Sequence, residues 1–427
     1  MQLVDSDAAK LYTHMEAIWE SRTLFVPDWN YITTMEADCA LLMALPFYAI
    51  TGDLFISFAC ADVVVILILV AMTFGLIARI LPDKEKVVRG GVLGSLLILA
   101  PYSVGVLQYS NMLYLSGAQY CMKVVLPMML IFLLLEKNPE KPKQISWCML
   151  MLYLAGIWLT ATSSGIYVAA MGLAPILLYY LFGWLKERCK ITLYIATTVF
   201  GSVIATLAGL LTTRVKGVSI SGGKMVLASA SDLAVNIQNC LVAIFRLLGA
   251  ASAEVAVTRL SGLKQLFCYG IGIALLAVLA KASVITFKRR HEAEQVCDGY
   301  FAMLALWNLG WLFILNTRYG DSMFEIRYHM IWIVPLMALL AVYAIQRSNS
   351  ENNRVRIFYK IILSGTVFLT LLLCDYRAVY DCQPDTAGQS ENGRVQQLCK
   401  YISTLEEQNV YIVLASHAAE MGNALDV

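Results

Sequence analysis

The sequence predicts an all-α polytopic membrane protein of about ten transmembrane helices, and three observations predict it. Apolar runs long enough to span a bilayer recur along most of the 427 residues. The chain is 59% hydrophobic but only 15% charged, where a soluble domain averages about 25% charged residues. The short polar gaps between runs alternate between lysine/arginine-rich and nearly uncharged. A chain this poor in charge cannot cover itself with polar surface, so lipid must be its solvent. Its mean hydropathy of +0.67 agrees.

Residues 1–52 form a head segment with amphipathic helices. Asp5, Ser6 or Asp7 ahead of Ala8–Tyr12 is a good N-cap. The helix it starts sets Asp7, Leu11 and His14 near one face, with Glu16 and Glu20 one turn apart further along. A turn, Pro27-Asp28-Trp29-Asn30-Tyr31, follows. Residues 35–52 are apolar but short and acidic at their start, which predicts an interfacial or re-entrant helix.

Residues 53–375 form the transmembrane domain. A span needs roughly 20 apolar residues, and candidates run over 53–80, 90–110, 117–136, 145–161, 165–185, 191–212, 263–286, 297–316, 329–346 and 357–375. Between the sixth and seventh lies a long loop, 213–262, with a Gly/Ser turn (Ser219 to Gly223) and an amphipathic helical stretch from about Leu227 to Leu248. Residues 376–427 read as a loop, a helix over 393–408 and a strand over 410–414. That is the opening of an α/β unit expected to continue past residue 427.

The gaps set the orientation. Arg79, Lys84, Lys86 and Arg89 share one side with Lys137, Lys141 and Lys143, with Lys186, Arg188 and Lys190, with Lys288, Arg289 and Arg290, and with Arg347, Arg354, Arg356 and Lys360. The positive-inside rule puts that side in the cytoplasm. The head, the loop 213–262 and the tail then lie outside, as do both termini. An outer head is expected to follow an upstream helix that these residues do not contain.

Several function classes drop out. A net charge of +2 with no basic stripe speaks against a nucleic-acid partner. The 11 cysteines form no CxxC pair and mostly sit in apolar runs as small hydrophobes; Cys382 and Cys399 could pair if the tail is extracytoplasmic. Four scattered histidines make no metal cluster. No Walker loop, GxSxG or HExxH occurs, which argues against an ATP-driven pump.

A few residues remain that could carry chemistry. Asp5 and Asp7 can act as a general base, coordinate a divalent cation, or cap a helix. Trp29 and Tyr31 read either as interfacial anchors or as aromatics that hold a sugar beside carboxylates. Arg327, Tyr328 and His329 precede the ninth span on the outer side, against the charge bias. Arg327 either pairs with Glu325 or Asp321, or holds a lipid phosphate with its planar fork. Lys123 lies about two turns into the third span, where it either snorkels outward or faces a polar cavity. Asp62 and Lys281 also fall within spans, Asp62 near the outer end. Arg214, Lys216, Lys224, Arg246 and Arg259 read as a solvated face or headgroup contacts.

The order of these parts resembles the GT-C superfamily of membrane glycosyltransferases. An acidic motif opens the first outer segment, an amphipathic helix follows, then the PDWNY turn, then LPFYAITGD leading into a span. Many spans, an outer Arg-Tyr before a late helix and an outer α/β tail complete the pattern. It looks most like bacterial relatives of the dolichyl-phosphate-mannose protein mannosyltransferases and the lipid A aminoarabinose transferases. The resemblance implies a multi-pass plasma-membrane enzyme that moves a sugar from a polyprenyl-phosphate-linked donor to an extracytoplasmic acceptor. It implies Asp5 or Asp7 as general base and Arg327, Lys123 and Tyr328 at the donor phosphate. His14, Trp29 and Tyr31 would face the sugar or acceptor. No metal is required, because the lipid phosphate activates the donor; a divalent cation becomes an option if both Asp5 and Asp7 face the site. Two other readings fit a multispan chain: a transporter or flippase of lipid-linked sugars, which usually shows paired repeats and broken helices, and a catalytically silent protein.

Overall fold

The computed structural model describes residues 6–348 apart from short segments (27–28, 30, 32–33, 100–106, 116, 137, 188–191, 217–225, 251–253, 289–295, 317, 320–322 and 325), together with 353–354, 357 and 364–365. The tail 376–427, all of the tenth candidate span but 357 and 364–365, and Asp5, Asp321 and Glu325 lie outside the described residues.

Thirteen α-helices order the described chain: α1 (Ser6–Ser21), α2 (Leu41–Thr51), α3 (Leu54–Ile80), α4 (Lys84–Leu99), α5 (Leu107–Leu113), α6 (Cys121–Leu134), α7 (Gln144–Ser164), α8 (Ala174–Glu187), α9 (Leu193–Val215), α10 (Leu233–Leu247), α11 (Leu260–Lys288), α12 (Val296–Ile314) and α13 (Met330–Ser348). Helix α1 begins where the capping residues place it. Helix α2 is the short apolar segment before the first span. It closes on Gly52 in the left-handed region (φ 65°), a conformation that glycine adopts without the Cβ penalty. Asp53 then caps α3, accepting from Ile56 N at 2.9 Å. Between α7 and α8 the chain makes one π-helical turn, Ala169–Leu173. The widened turn frees carbonyls, and α12 supplies donors: Trp307 Nε1 reaches Ala170 O at 2.9 Å and Asn308 Nδ2 reaches Met171 O at 2.7 Å.

Six segments are long and apolar enough to cross a membrane: Leu54–Ile80, Gln144–Ser164, Leu193–Val215, Ser261–Phe287, Cys297–Ile314 and Arg327–Ser348. Among the described residues, the candidates 90–110, 117–136 and 165–185 are shorter or more polar helices. Helix α4 starts with Lys84-Glu85-Lys86 and has 16 residues, α6 has 14, and α8 has 14 behind the π turn.

Helix α6 is the hub. All its residues but Met122 are buried, as expected of a helix apolar on every side. It packs on α3, α7, α8, α9, α13 and the π turn. Lipid tails are as apolar as leucine, so contact between spans must come from close packing and hydrogen bonds. The α7–α9 seam shows both. A Cβ on Gly209 would fall 2.5 Å from the Trp158 backbone oxygen. Tyr153 and Ser202 share a hydrogen bond at 2.9 Å, Trp158 Nε1 donates to Thr212 at 3.2 Å, and Thr213 donates to the Thr162 carbonyl at 3.0 Å.

The polar interior sits at the two ends of the bundle. At one end Arg79 of α3 meets Glu136, just past α6, at 2.8 Å; Ser146 of α7 bonds both, and Arg79 also stacks over the Phe132 ring. Lys281 of α11 lies over the Tyr343 ring of α13 at 3.4 Å at this same end. The opposite end carries α1, α2, α5 and α10. Here the loop strand β1 (Val226–Leu227) pairs antiparallel with β2 (Leu315–Asn316) at the end of α12, and β3 (Arg318–Tyr319) pairs with β4 (Met323–Phe324). Asn236 of α10 donates to the carbonyls of Leu312, Phe313 and Leu315. The amphipathic stretch forms α10 inside its expected range, with Asn236, Cys240, Ala243, Ile244 and Leu247 on its buried face.

Candidate functional site

The strap between Tyr31 and α2 carries the site. Met35 N donates to Ser163 O at 2.9 Å and Ala40 N to Gly117 O at 2.7 Å, which threads residues 35–40 between the end of α7 and the turn before α6. Glu36 is held in the left-handed region, φ 62°. For a non-glycine residue this costs on the order of 1–3 kcal/mol and persists only where surroundings enforce it.

That backbone delivers two carboxylates to different partners. Asp38 is fully buried. Ser163 Oγ donates to its Oδ1 at 2.6 Å and Ser164 Oγ to its Oδ2 at 2.7 Å. Lys123 Nζ lies 3.6 Å from Oδ2 and donates to Gln119 O at 2.8 Å. Lys123 is itself buried (6% exposed), so it does not snorkel to solvent: it faces a polar pocket with Asp38 as its counter-charge. Glu36 is also buried. Lys10 of α1 meets Oε1 at 2.5 Å, and His14 Nδ1 approaches Oε2 at 3.5 Å.

His14 is fully buried, and among the described residues no hydrogen bond reaches either ring nitrogen. Its ring stacks on Trp29 at 4.8 Å and meets Tyr31 edge-on at 5.5 Å. Burial pushes the Tyr31 phenol above its ordinary pKa; a backbone hydrogen bond from the Val26 region opposes the shift and Glu36 adds to it. Burial also pushes the Cys39 thiol well up, with Asp38 adding to the shift, so Cys39 is an inert apolar filler rather than a nucleophile.

From Lys123 a ladder of rings leads across the end of the bundle. Its ammonium lies 4.9 Å from the Tyr120 ring. Tyr120 meets Tyr167 at 6.4 Å, Tyr167 meets Tyr328 at 6.0 Å, and Arg327 lies 5.9 Å from the Tyr328 ring. Arg327 and Tyr328 are half-buried on the 3-10 turn Ile326–His329. His329 anchors that turn: its Nδ1 accepts from Trp332 Nε1 at 3.1 Å, and Cys240 of α10 sits 3.7 Å from its Nε2.

His14, Trp29 and Tyr31 therefore share one pocket with Glu36, and Lys123 joins it through Asp38. Arg327 and Tyr328 stand at the far end of the ring ladder. Asp7 lies in the first turn of α1, one turn before Lys10, but its side chain is not among those described. Asp62 is half-buried on α3. Sequence reasoning missed Lys10, Glu36, Asp38, Tyr120, Ser163, Ser164 and Tyr167. The signal available was Glu36-x-Asp38 immediately ahead of an apolar run, and Ser163-Ser164 in an uncharged gap. Among the described residues no three His, Cys, Asp or Glu side chains stand together to hold a metal; the cation option of Asp5 and Asp7 rests on groups outside that set.

No protein-family model, curated protein or solved structure matches this chain. The class that its own fold defines is a helical membrane protein with six candidate spans and a buried, charged cluster at one end of the bundle.

Proposed function

We propose that the chain is a membrane glycosyltransferase of the GT-C type, acting at the external bilayer boundary. The observation that carries this reading is the meeting of the head-segment carboxylate Asp38 with Lys123, beside Glu36 and Lys10, and through the ring ladder with Arg327, at one end of the bundle. The lysine/arginine-poor gaps favour that end as the outer one.

In the proposed reaction a head-segment carboxylate takes the proton of an acceptor hydroxyl. The acceptor oxygen bonds to the sugar C1, and the C1–O bond to the lipid phosphate breaks with its electron pair leaving on the phosphate. Lys123 and Arg327 stabilise the charge that grows there. The family resemblance gives the base to Asp5 or Asp7. Glu36 is the carboxylate that the geometry adds to this set, since both oxygens of Asp38 are occupied by serine hydroxyls while, among the described residues, Glu36 Oε2 is approached by His14 alone. Asp38 then positions Lys123. His14, Trp29 and Tyr31 would offer the sugar an aromatic face.

The test is transfer from a panel of polyprenyl-phosphate-linked sugars in proteoliposomes. The Asp5→Asn/Asp7→Asn double variant or Glu36→Gln should lower turnover by about 100-fold or more, and Lys123→Met or Arg327→Gln by a comparable factor. Normal turnover in all of these variants would remove the reaction from this site. Lipid movement across the vesicle without sugar transfer would select the flippase reading instead.

A further inference from the structure

Away from the charged cluster, α1 and α2 diverge around a cleft of about 460 Å³. Its walls are apolar, with Ile18, Trp19 and Leu24 on one side and Leu42 and Leu45 on the other. The one charged group on its lining is Arg22, exposed, with its guanidinium 3.9 Å from the Trp19 ring centroid. Among the described residues no carboxylate comes within ion-pair distance of Arg22. On α1 Glu20 lies two residues before Arg22, and Glu16 is approached by the Tyr48 hydroxyl of α2 at 3.5 Å.

We propose that this cleft is a binding site for a membrane phospholipid with an anionic headgroup, its acyl chain between α1 and α2 and its phosphate on Arg22. Three observations support that occupant. The lining is the complement of an amphiphile: an apolar slot of drug-sized volume with a single cation at its rim. The cleft is continuous with a lipid-facing surface, because α2 runs through Gly52 and Asp53 straight into the span α3, whose Phe55, Ile56, Val63 and Leu67 are exposed. Ile50, at the end of α2, is 83% exposed, the highest value among the exposed large apolar side chains. Trp19 and Tyr48, whose rings meet edge-on at 5.8 Å, are the residue types that settle at the headgroup level. Bulk phospholipid is the abundant amphiphile at such a surface.

The site has a consequence for the cluster beside it. Ile18 lies one turn beyond His14 on α1. A chain in the cleft braces α1 against α2 and so holds Lys10 and His14 at Glu36.

The experiment needs no sugar substrate. The full chain is placed in nanodiscs of phosphatidylcholine doped with dibromo-acyl phosphatidylglycerol, or with dibromo-acyl phosphatidylcholine. Bromine quenches indole at short range. The signal of Trp19, one of 8 tryptophans, is the difference between wild type and Trp19→Phe. Quenching of Trp19 should saturate, with half-quenching at about fivefold lower mole fraction for the anionic lipid, the preference one arginine confers near a membrane surface. Arg22→Gln should bring the two lipids together, and Ala49→Phe, which fills the slot, should abolish saturable quenching by either. Equal quenching by both headgroups in wild type, or a headgroup preference that survives Arg22→Gln, overturns the proposal.

Discussion

Asp38→Asn is the most direct probe of the buried cluster. The native carboxylate is fully buried and lies 3.6 Å from the Lys123 ammonium, which is itself nearly sealed from solvent. Removing one member of a buried pair leaves the other charge uncompensated, at about 3–5 kcal/mol. Two features place this case near the lower bound. The separation is long for an ion pair, and Lys123 keeps its bond to the Gln119 carbonyl at 2.8 Å. Against that, Asn is neutral and has one acceptor oxygen where Asp has two, so both serines lose a charged acceptor and one of Ser163 and Ser164 loses its acceptor altogether, at about 1 kcal/mol. The expected cost is therefore about 3–4 kcal/mol. Lys123→Met on top of Asp38→Asn removes the stranded charge and should recover most of it, to within about 1.5 kcal/mol of wild type. Unfolding in mixed micelles titrated with dodecyl sulfate, followed by circular dichroism, measures all corners of the cycle. A single-variant cost below about 1 kcal/mol, or a double variant equal to the sum of the singles, would refute the coupling.

Two further predictions concern the frame that holds the cluster. Cysteine introduced at Ser229 should react with an impermeant maleimide from outside the cell, whereas cysteine at Glu140, also exposed, should react only after permeabilisation; the reverse pattern would invert the topology. Gly209→Leu should destabilise the bundle by at least about 3 kcal/mol, because the added atoms meet the Trp158 and Thr162 backbone of α7 rather than a side chain that can move aside; wild-type unfolding of that variant would show that α7 and α9 do not pack this closely.

The spans were legible because their signal is additive. A window of apolar residues identifies α3, α7, α9, α11, α12 and α13 whatever they pack against. The π turn at Ala169–Leu173 was not, since it depends on Trp307 and Asn308, more than 130 residues away, receiving the freed carbonyls. The site was half legible for the same reason. Lys123 and Arg327 stood out as cations in costly places, and Trp29 and Tyr31 as aromatics beside acids. Asp38 did not, because its meaning lies in Ser163 and Ser164, which arrive 125 and 126 positions later. Glu36 and Asp38 read as the polar start of an apolar helix until the left-handed φ at Glu36 and the bonds to α7 turn them inward.

The two charged ends of the bundle differ in a way that bears on where function resides. At the Arg79 end Glu136 accepts from Arg79 and Ser146, Arg79 covers Phe132, and the group ties three helices together. Such a cluster is a staple, and its chemistry is consumed in holding α3, α6 and α7. The Asp38 end has the same kind of lock in Ser163, Ser164 and Lys123, but around it stand buried groups with no hydrogen bond among the described residues: both ring nitrogens of His14, the Trp29 indole nitrogen and Glu36 Oε2, the last 3.5 Å from His14 Nδ1. An unsatisfied buried donor or acceptor costs about 1–3 kcal/mol, and the strained backbone at Glu36 adds to that. A bundle that needed only stability would replace these groups with apolar ones. Four such atoms on three neighbouring residues, beside a cation and a strip of tyrosines, are what a binding site for a polar ligand requires, and they are the physical reason to look for a ligand there.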